Sequence, residues 1–179
     1  MDLSTYNNDW YKPGNAVKRF LWYYCNAIFF KSGAFPFSAF KIFILKLFGA
    51  SIGKAVIIKP FVNIKYPWFL TIGNFVWIGE EVWIDNLAQV TIANNVCISQ
   101  GALLLTGSHD YKKPGFDLVV KSIVVEEGVW ICAKSIICAG VTIKKNALIT
   151  AGSVISADCD EDGIYKGNPG ILYAKKDMT

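Results

Sequence analysis

The 179-residue chain lacks several features that would identify its chemistry directly. It has one histidine, His109, which excludes a zinc site built from three histidines of one chain, so we expect no metal. Its five cysteines form no Cys-x-x-Cys pair or disulfide framework, so a reduced, cytoplasmic protein is expected. No apolar run reaches about 18 residues, so we expect no membrane-spanning helix. The basic residues form no dense run, which argues against a nucleic-acid partner.

The sequence does contain an aliphatic residue at every sixth position along two thirds of its length. Fifteen residues follow this pattern, and thirteen of them are isoleucine. They are Ile52, Ile58, Ile64, Ile72, Ile78, Ile84, Ile92, Ile98, Leu104, Val125, Ile131, Ile137, Ile143, Ile149 and Ile155. The residue four positions after each is Val, Ala or Ser in thirteen of the fifteen cases, Trp68 and Cys159 being the exceptions.

A period of six residues indicates extended chain and not helix. On a helix, six steps of about 100° would scatter these residues around the axis, whereas in a strand an even period keeps them on one face. The repeats also group in threes, with starts 20 residues apart from Ile52 to Ile72 and from Ile72 to Ile92, and 18 apart from Val125 to Ile143. This grouping predicts a triangular parallel β-helix in which each side is one hexapeptide. We expect about five coils over residues 50–157, preceded by segment 1–49 and followed by extension 158–179.

Five short motifs lie within or just after these repeats. They are Tyr66-Pro67-Trp68, Trp77-Ile78-Gly79-Glu80, Ile84-Asp85-Asn86, Thr106-Gly107-Ser108-His109-Asp110-Tyr111 and Gly167-Asn168-Pro169. With the repeat, they resemble the hexapeptide-repeat acyltransferases, and within that superfamily the colanic-acid type of exopolysaccharide O-acetyltransferase. The resemblance covers residues 50–176. It implies an all-β fold, a left-handed parallel β-helix. It also implies acetyl-CoA as acyl donor and the hydroxyl of a sugar or lipid-linked saccharide as acceptor.

The N-terminal part of the chain differs in charge from the rest. Residues 1–65 hold nine Lys or Arg and two acidic residues, a net charge of +7, and the remaining residues carry −3. Segment 1–49 is also rich in aromatic residues, and Phe37 to Phe48 is typical of a helix. We expect residues 1–49 to form a helical cap over the first coil. Basic residues among bulky aromatics also favour anionic headgroups, so peripheral contact with the inner face of the membrane is a compatible second expectation.

One long break interrupts the repeat. After Leu104 the next repeat starts at Val125, a step of 21 residues instead of six, and residues 107–121 have the composition of a loop. His109 lies at the root of this loop. An imidazole, with an ordinary pKa of about 6.5, can take a proton from a sugar hydroxyl near neutral pH. The resemblance implies that the activated oxygen attacks the acetyl thioester directly, with His109 as general base.

A second group should orient the imidazole and stabilise its charged form. Asp110 adjoins His109 in sequence and Asp117 lies further along the loop, while Asp85 belongs to the coil stacked below the loop root. These three acids are therefore candidate catalytic residues. Asn86 and Tyr111 are candidates for binding the acceptor.

The resemblance places acetyl-CoA along the last coils, in a groove between the subunits of a homotrimer. By position, Ala133, Ala151 and Gly152 match small residues that let the pantetheine arm approach the backbone, and Ser156-Ala157 match the turn that follows. The candidates for the CoA phosphates are Lys175 and Lys176. The tryptophans that precede repeat starts would suit subunit interfaces; they are Trp77, Trp83 and Trp130.

Two other functions fit parts of the sequence. A sugar N-acetyltransferase of the same fold would use the same base and donor. A non-catalytic β-helix serving as a structural or binding module is the second alternative, against which the long loop and its histidine argue. The sequence does not identify the sugar or the hydroxyl.

Overall fold

The structure, a computed structural model that describes residues 1–176, is a triangular prism of stacked parallel strands. The first face consists of Ser51–Ile52, Leu70–Ile72, Val90–Ile92, Ile123–Val125 and Thr142–Ile143. The second face consists of Ile57–Ile58, Trp77–Ile78, Cys97–Ile98, Trp130–Ile131, Leu148–Ile149 and Gly163–Lys166, with Ile171–Lys175 antiparallel at its end. The third face consists of Asn63–Ile64, Trp83–Asp85, Leu103–Leu105, Ile136–Ile137 and Val154–Ile155.

The fifteen repeat residues form the core of this prism, as predicted. All of them are buried, and each faces its equivalent in the next coil; Ile78, for example, pairs with Ile98 and Ile98 with Ile131. The core is therefore a set of three aliphatic stacks, one behind each face.

The residue four positions after each repeat residue is buried at the first two prism edges throughout. At the third edge, between the third face and the next coil, Val141 and Cys159 are buried in the same way, whereas Trp68, Ala88 and Ser108 are not. The inward positions there are instead taken by Leu70, Val90 and Ile123, all buried. At Leu70 and Val90 the inward position is displaced by an even number of residues, so the alternation of inward and outward side chains along the strand is preserved. At Ile123 the whole excursion after Leu104 precedes the inward position.

The prism continues beyond the five complete coils. Cys159 forms a parallel bridge with Ile143 on the first face, and Gly163–Lys166 extends the second face beside Leu148–Ile149. A partial sixth coil is thus built from the segment that we expected to be an extension. The antiparallel strand Ile171–Lys175 then covers its edge.

Two helices cover the other end of the prism: α1 (Ala16–Cys25), continued by a π-helical turn Asn26–Phe30, and α2 (Ser38–Leu47). Their side chains satisfy backbone groups that the first coil leaves unpaired. Trp22 Nε1 donates to Ile64 O at 2.9 Å, and Ser38 Oγ accepts from Ile58 N at 3.0 Å. Lys41, fully buried, donates from Nζ to Lys59 O at 2.8 Å. Within residues 1–176 no helix is long and apolar enough to cross a membrane.

Residues 1–14 do not belong to this helical cap. They contain a 3₁₀ turn at Leu3–Thr5 and run along the third edge of the prism. Trp68 Nε1 donates to Pro13 O at 3.0 Å, Tyr11 Oη donates to Leu87 O at 2.6 Å, and Asp2 N donates to Pro114 O at 2.8 Å. We call residues 2–14 the N-terminal strap; the sequence did not indicate it.

The excursion after Leu104 is a β-hairpin and not an irregular loop. Strands Gly107–His109 and Leu118–Val120 pair antiparallel, with His109 opposite Leu118. Lys121 N donates to Thr106 O at 2.9 Å and closes the base of the hairpin. A Cβ atom on Gly107 would approach Leu87 Cδ1 to 2.5 Å, so a larger residue there would require the Leu87 side chain to move.

The two isoleucines of strand Ile136–Ile137 give a matched test of the core. Ile137 is fully buried and Ile136 faces outward. We expect Ile137→Ala to lower the free energy of unfolding by about 2–5 kcal/mol, because it leaves a cavity. Ile136→Ala should cost about 1 kcal/mol or less. Urea denaturation followed by circular dichroism measures both, and equal losses would contradict the assignment of the inward face.

Candidate active site

The imidazole of His109 is held by Phe116 from the other side of the hairpin. His109 Nδ1 lies 2.8 Å from Phe116 O, and the two rings stack with centroids 4.2 Å apart and planes 2° apart. Phe116 adopts a φ of 52°, a left-handed conformation that is uncommon for a residue with a side chain. This turn presents both the carbonyl and the ring of Phe116 to the histidine.

The contact with Phe116 determines which nitrogen of the neutral imidazole carries the proton. A carbonyl oxygen can only accept, so Nδ1 is the donor and Nε2 bears the free lone pair. No group of residues 1–176 hydrogen bonds to Nε2. His109 therefore presents an unprotonated nitrogen, as a general base requires.

The N-terminal strap supplies the second aromatic neighbour of His109. The ring of Tyr6 lies 5.8 Å from the imidazole, inclined at 53°. Its approach depends on the backbone bond between Asp2 and Pro114 near the hairpin tip. Tyr6 and Phe116 were missed in the sequence because neither belongs to a repeat or motif.

His109 borders an open cleft of about 570 Å³ between the hairpin and the third edge of the prism. Other lining residues are Tyr111, Lys121, Cys138 and Ala139. Tyr111 is largely exposed, with Lys112 Nζ 6.0 Å from its ring centroid. The cleft thus combines a base, a cation and an aromatic surface at a place open to solvent.

Asp110 and Asp117 make contacts within the hairpin and not with the imidazole. Asp110 Oδ1 accepts from Lys112 N at 3.0 Å, and Asp117 Oδ2 pairs with Lys113 Nζ at 3.1 Å. Their backbones are also joined, since Asp110 N donates to Asp117 O at 2.8 Å. Both acids stabilise the turn that carries Phe116.

Asp85 lies below the hairpin root, paired in register with Leu105. Its carboxylate is 3.7 Å from Lys65 Nζ, and the buried Oδ1 has no hydrogen-bond partner within residues 1–176. Its backbone oxygen accepts from Thr106 Oγ1 at 3.0 Å. None of the carboxylates in residues 1–176 lies within 4.0 Å of an imidazole nitrogen, so the orienting group in this structure is the Phe116 carbonyl.

Asn86 has a different environment from the one expected of an acceptor-binding residue. It is completely buried. Its Oδ1 accepts from Tyr66 N at 3.0 Å, and its Nδ2 donates to Tyr66 O at 2.6 Å and to Phe69 O at 3.1 Å. The amide therefore has no exposed surface for an acceptor and instead fixes the turn Pro67–Phe69 of the preceding coil.

The small residues expected at the donor site lie on two different edges of the prism. Ala133, Ala151 and Gly152 are at the second edge, between the second and third faces, where Gly152 N donates to Ala133 O at 2.9 Å. Nothing lies within 4 Å of a Cβ atom built on Gly152, so this edge is open. Ser156-Ala157 are at the third edge, one coil beyond residues 138–139 of the His109 cleft.

The two lysines expected at the CoA phosphates are at the C-terminal end of the prism, opposite the helical cap. Lys176 Nζ donates to Asn146 O at 2.6 Å, at the first edge, between the first and second faces. Lys175 belongs to the strand Ile171–Lys175, opposite Gly163, and its charge helps to lower the pKa of Asp160 after the larger effect of Lys144. The predicted donor residues of one chain are therefore not gathered in one groove.

The cysteine thiols of the described chain are poor nucleophiles. Burial raises the pKa of Cys25, Cys97, Cys132 and Cys138, and it raises the pKa of Cys159 to about 12. Since the thiolate is the reactive form, a covalent acyl-cysteine finds no support. Within residues 1–176 no three His, Cys, Asp or Glu side chains cluster to hold a metal ion.

Comparison with known sequences decides the family. The chain is 34% identical over 169 residues to the colanic acid biosynthesis acetyltransferase WcaF of Escherichia coli, covering 94% of this chain and 93% of WcaF. This protein belongs to the WcaF-type hexapeptide-repeat acetyltransferases. It is also 29% identical over 130 residues to the galactoside O-acetyltransferase of E. coli, covering 70% and 64% of the two chains. No protein-family model matches the sequence.

Solved structures confirm the fold expected of a WcaF-type acetyltransferase. A hexapeptide-repeat acetyltransferase of Vibrio cholerae, crystallised with acetyl-CoA, superposes with a TM-score of 0.81 at 22% identity, covering 92% of this chain and 91% of that chain. A galactoside acetyltransferase in complex with coenzyme A gives 0.79 at 24% identity, covering 89% and 80%. The fold is a left-handed parallel β-helix.

Thiol alkylation tests the buried state of the cysteines. At neutral pH we expect iodoacetamide to modify the folded WcaF-type protein more slowly than a free thiol, because Cys159 is buried, the other four cysteines are partly buried, and burial raises the pKa of each. Mass spectrometry counts the adducts, and the same protein in urea should gain five. Rapid modification of Cys138, beside the His109 cleft, would contradict this expectation.

Proposed function

We propose that this protein is an acetyl-CoA-dependent O-acetyltransferase that modifies a saccharide hydroxyl in exopolysaccharide biosynthesis. The observation that carries the proposal is the imidazole of His109, whose Nδ1 is bound by Phe116 O while Nε2 remains free. It occurs in a chain that matches WcaF over nearly its whole length.

The chemistry follows from the tautomer of His109. Nε2 takes the proton of the acceptor hydroxyl as its oxygen forms a bond to the thioester carbonyl carbon. Cleavage of the carbon–sulfur bond releases the CoA thiolate, which recovers the proton from the imidazolium. In the charged imidazolium, the hydrogen bond from Nδ1 to Phe116 O strengthens, so a backbone carbonyl serves the orienting role we expected of an acid.

The donor site is proposed to form between subunits. Ser156-Ala157 continue the third edge from the His109 cleft, and the open edge at Ala133, Ala151 and Gly152 is on a different corner of the same chain. If the third edge of one subunit faces the second edge of another, both sets line one groove. A homotrimer provides this arrangement three times. The exposed faces of Trp77, Trp83 and Trp130, 42–57% accessible in the single chain, support such contacts.

The helical cap is proposed to rest on an anionic membrane surface at the inner face. We define the apolar helix face as Val17, Phe20, Leu21, Phe43 and Leu47, each of which is more than half exposed. Residues 1–65 around it carry a net charge of +7. An exposed apolar patch within a cationic segment complements a bilayer with anionic headgroups.

Replacement of His109 tests the proposed mechanism. We expect His109→Ala to abolish detectable acetyl transfer from acetyl-CoA to a saccharide, since a general base contributes about 10²–10⁴-fold. Its Tm should change little, because the residue lies outside the core. Ser122→Ala, at the exit of the hairpin, is the matched control. Substantial acetylation by His109→Ala would refute the role of this histidine.

Vesicle flotation tests the proposed membrane contact. The protein should float with phosphatidylglycerol vesicles at low salt and less with phosphatidylcholine vesicles, because exposed charges are screened and need anionic lipid. Leu47→Glu and Phe43→Glu should reduce flotation strongly. Phe75→Glu, an exposed aromatic on the side of the prism, should not. Absence of association with either lipid at low salt would rule out docking through this face.

A further inference from the structure

Two adjoining clefts lie between α1 and the third edge of the prism. Residues of the first include Tyr6, Tyr11, Lys12 and Leu118, and residues of the second include Tyr23 and Lys31. Both clefts contain Arg19, Lys65 and Tyr66, so they form one continuous depression. Their volumes of about 430 and 380 Å³ are in the range of small-ligand pockets. We call this depression the cationic trough.

The positively charged side chains that line the trough outnumber the negatively charged side chains that pair with them. Four cations line it, Lys12, Arg19, Lys31 and Lys65, and no acidic residue does. Of these four cations, Lys65 alone has an ionic partner within residues 1–176, namely Asp85 at a long 3.7 Å. Cations brought together in a concave surface without counter-charges favour an anionic ligand.

The trough also leads to the candidate base. Tyr6, which lines one end, has its ring 5.8 Å from that of His109, and Leu118 at the same end pairs with His109 across the hairpin. At the other end, Arg19 and Tyr23 lie one turn apart on α1 and so share a side of this helix. Phe20, which directly follows Arg19 in α1, belongs to the apolar helix face. A ligand in the trough would therefore lie between the proposed membrane contact and the reacting hydroxyl.

We propose that the cationic trough binds a phosphate or diphosphate group that joins the acceptor saccharide to its carrier. This inference rests on the proposed O-acetyltransferase function and specifies its acceptor as a sugar phosphoester. The arginine guanidinium is suited to paired contacts with phosphate oxygens, and lysines add compact charges. A free neutral saccharide would leave Lys12, Arg19 and Lys31 without an ionic partner within residues 1–176. The same phosphate chemistry occurs in polyprenyl diphosphate sugars and in nucleoside diphosphate sugars.

Calorimetric titration of the full chain with inorganic pyrophosphate tests the site directly. Pyrophosphate should bind, more weakly as salt is raised, because the contact is electrostatic. Arg19→Gln and Lys31→Gln, which break no ion pair within residues 1–176, should each weaken binding about tenfold, as expected for loss of a charge-assisted hydrogen bond. Lys46→Gln is the matched control: it removes the same charge from α2, outside the trough, and should leave binding unchanged.

Two further ligands identify the source of the phosphate. Farnesyl diphosphate represents a lipid carrier and UDP-glucose a nucleotide carrier, and tighter binding of either than of pyrophosphate supports the proposal and names the carrier. Undetectable pyrophosphate binding, or equal weakening by Lys46→Gln, would overturn it. Acetyl transfer to a free saccharide without pyrophosphate binding would leave the proposed function standing and remove the trough. Pyrophosphate binding without acetyl transfer to any saccharide would leave the anion-binding trough standing and remove the proposed function.

Discussion

The backbone hydrogen bonds between one coil and the next are the interaction on which the whole structure depends. Gly79 N donates to Ile98 O at 2.8 Å and Ser99 N to Ile131 O at 2.8 Å, and equivalent bonds join the coils on each face. Many of the strands are only two residues long, which is too short to be stable alone. The bonds fix the offset between coils, and this offset brings the aliphatic side chains into continuous stacks. Packing and pairing therefore form together or not at all.

Because strand pairing fixes the residues on each face of the prism, extra residues are inserted at its edges. The hairpin after Leu104 adds a long excursion, yet Ile123 still pairs with Val90 as though the coil were uninterrupted. Its two ends are joined by the bond from Lys121 N to Thr106 O. The rigid coils therefore hold the side chains of the hairpin in a fixed position, which a catalytic histidine requires.

The part of the molecule that could be predicted from sequence is the part governed by local periodicity. Strand parity and the six-residue period determine which residues enter the core, and the break in the period locates His109. The contacts of His109 could not be predicted, because a backbone carbonyl such as that of Phe116 has no sequence signature. Asn86 was predicted to bind the acceptor, but its buried amide hydrogen bonds to the backbone of Tyr66 and Phe69, and only the fold reveals that.

The N-terminal segment links the end of the core to the site. The helices satisfy the open edge of the first coil, and the strap continues along the third edge as far as the hairpin tip. Tyr6 contacts the imidazole from a strap that is bound on one side through Asp2 N and Pro114 O, and on the other through Tyr11 with Leu87 O and Trp68 with Pro13 O. Arg19 on α1 contributes to the cationic trough from the same segment. Closure of the core, the environment of the base and the positive charge beside it thus depend on one continuous stretch of chain.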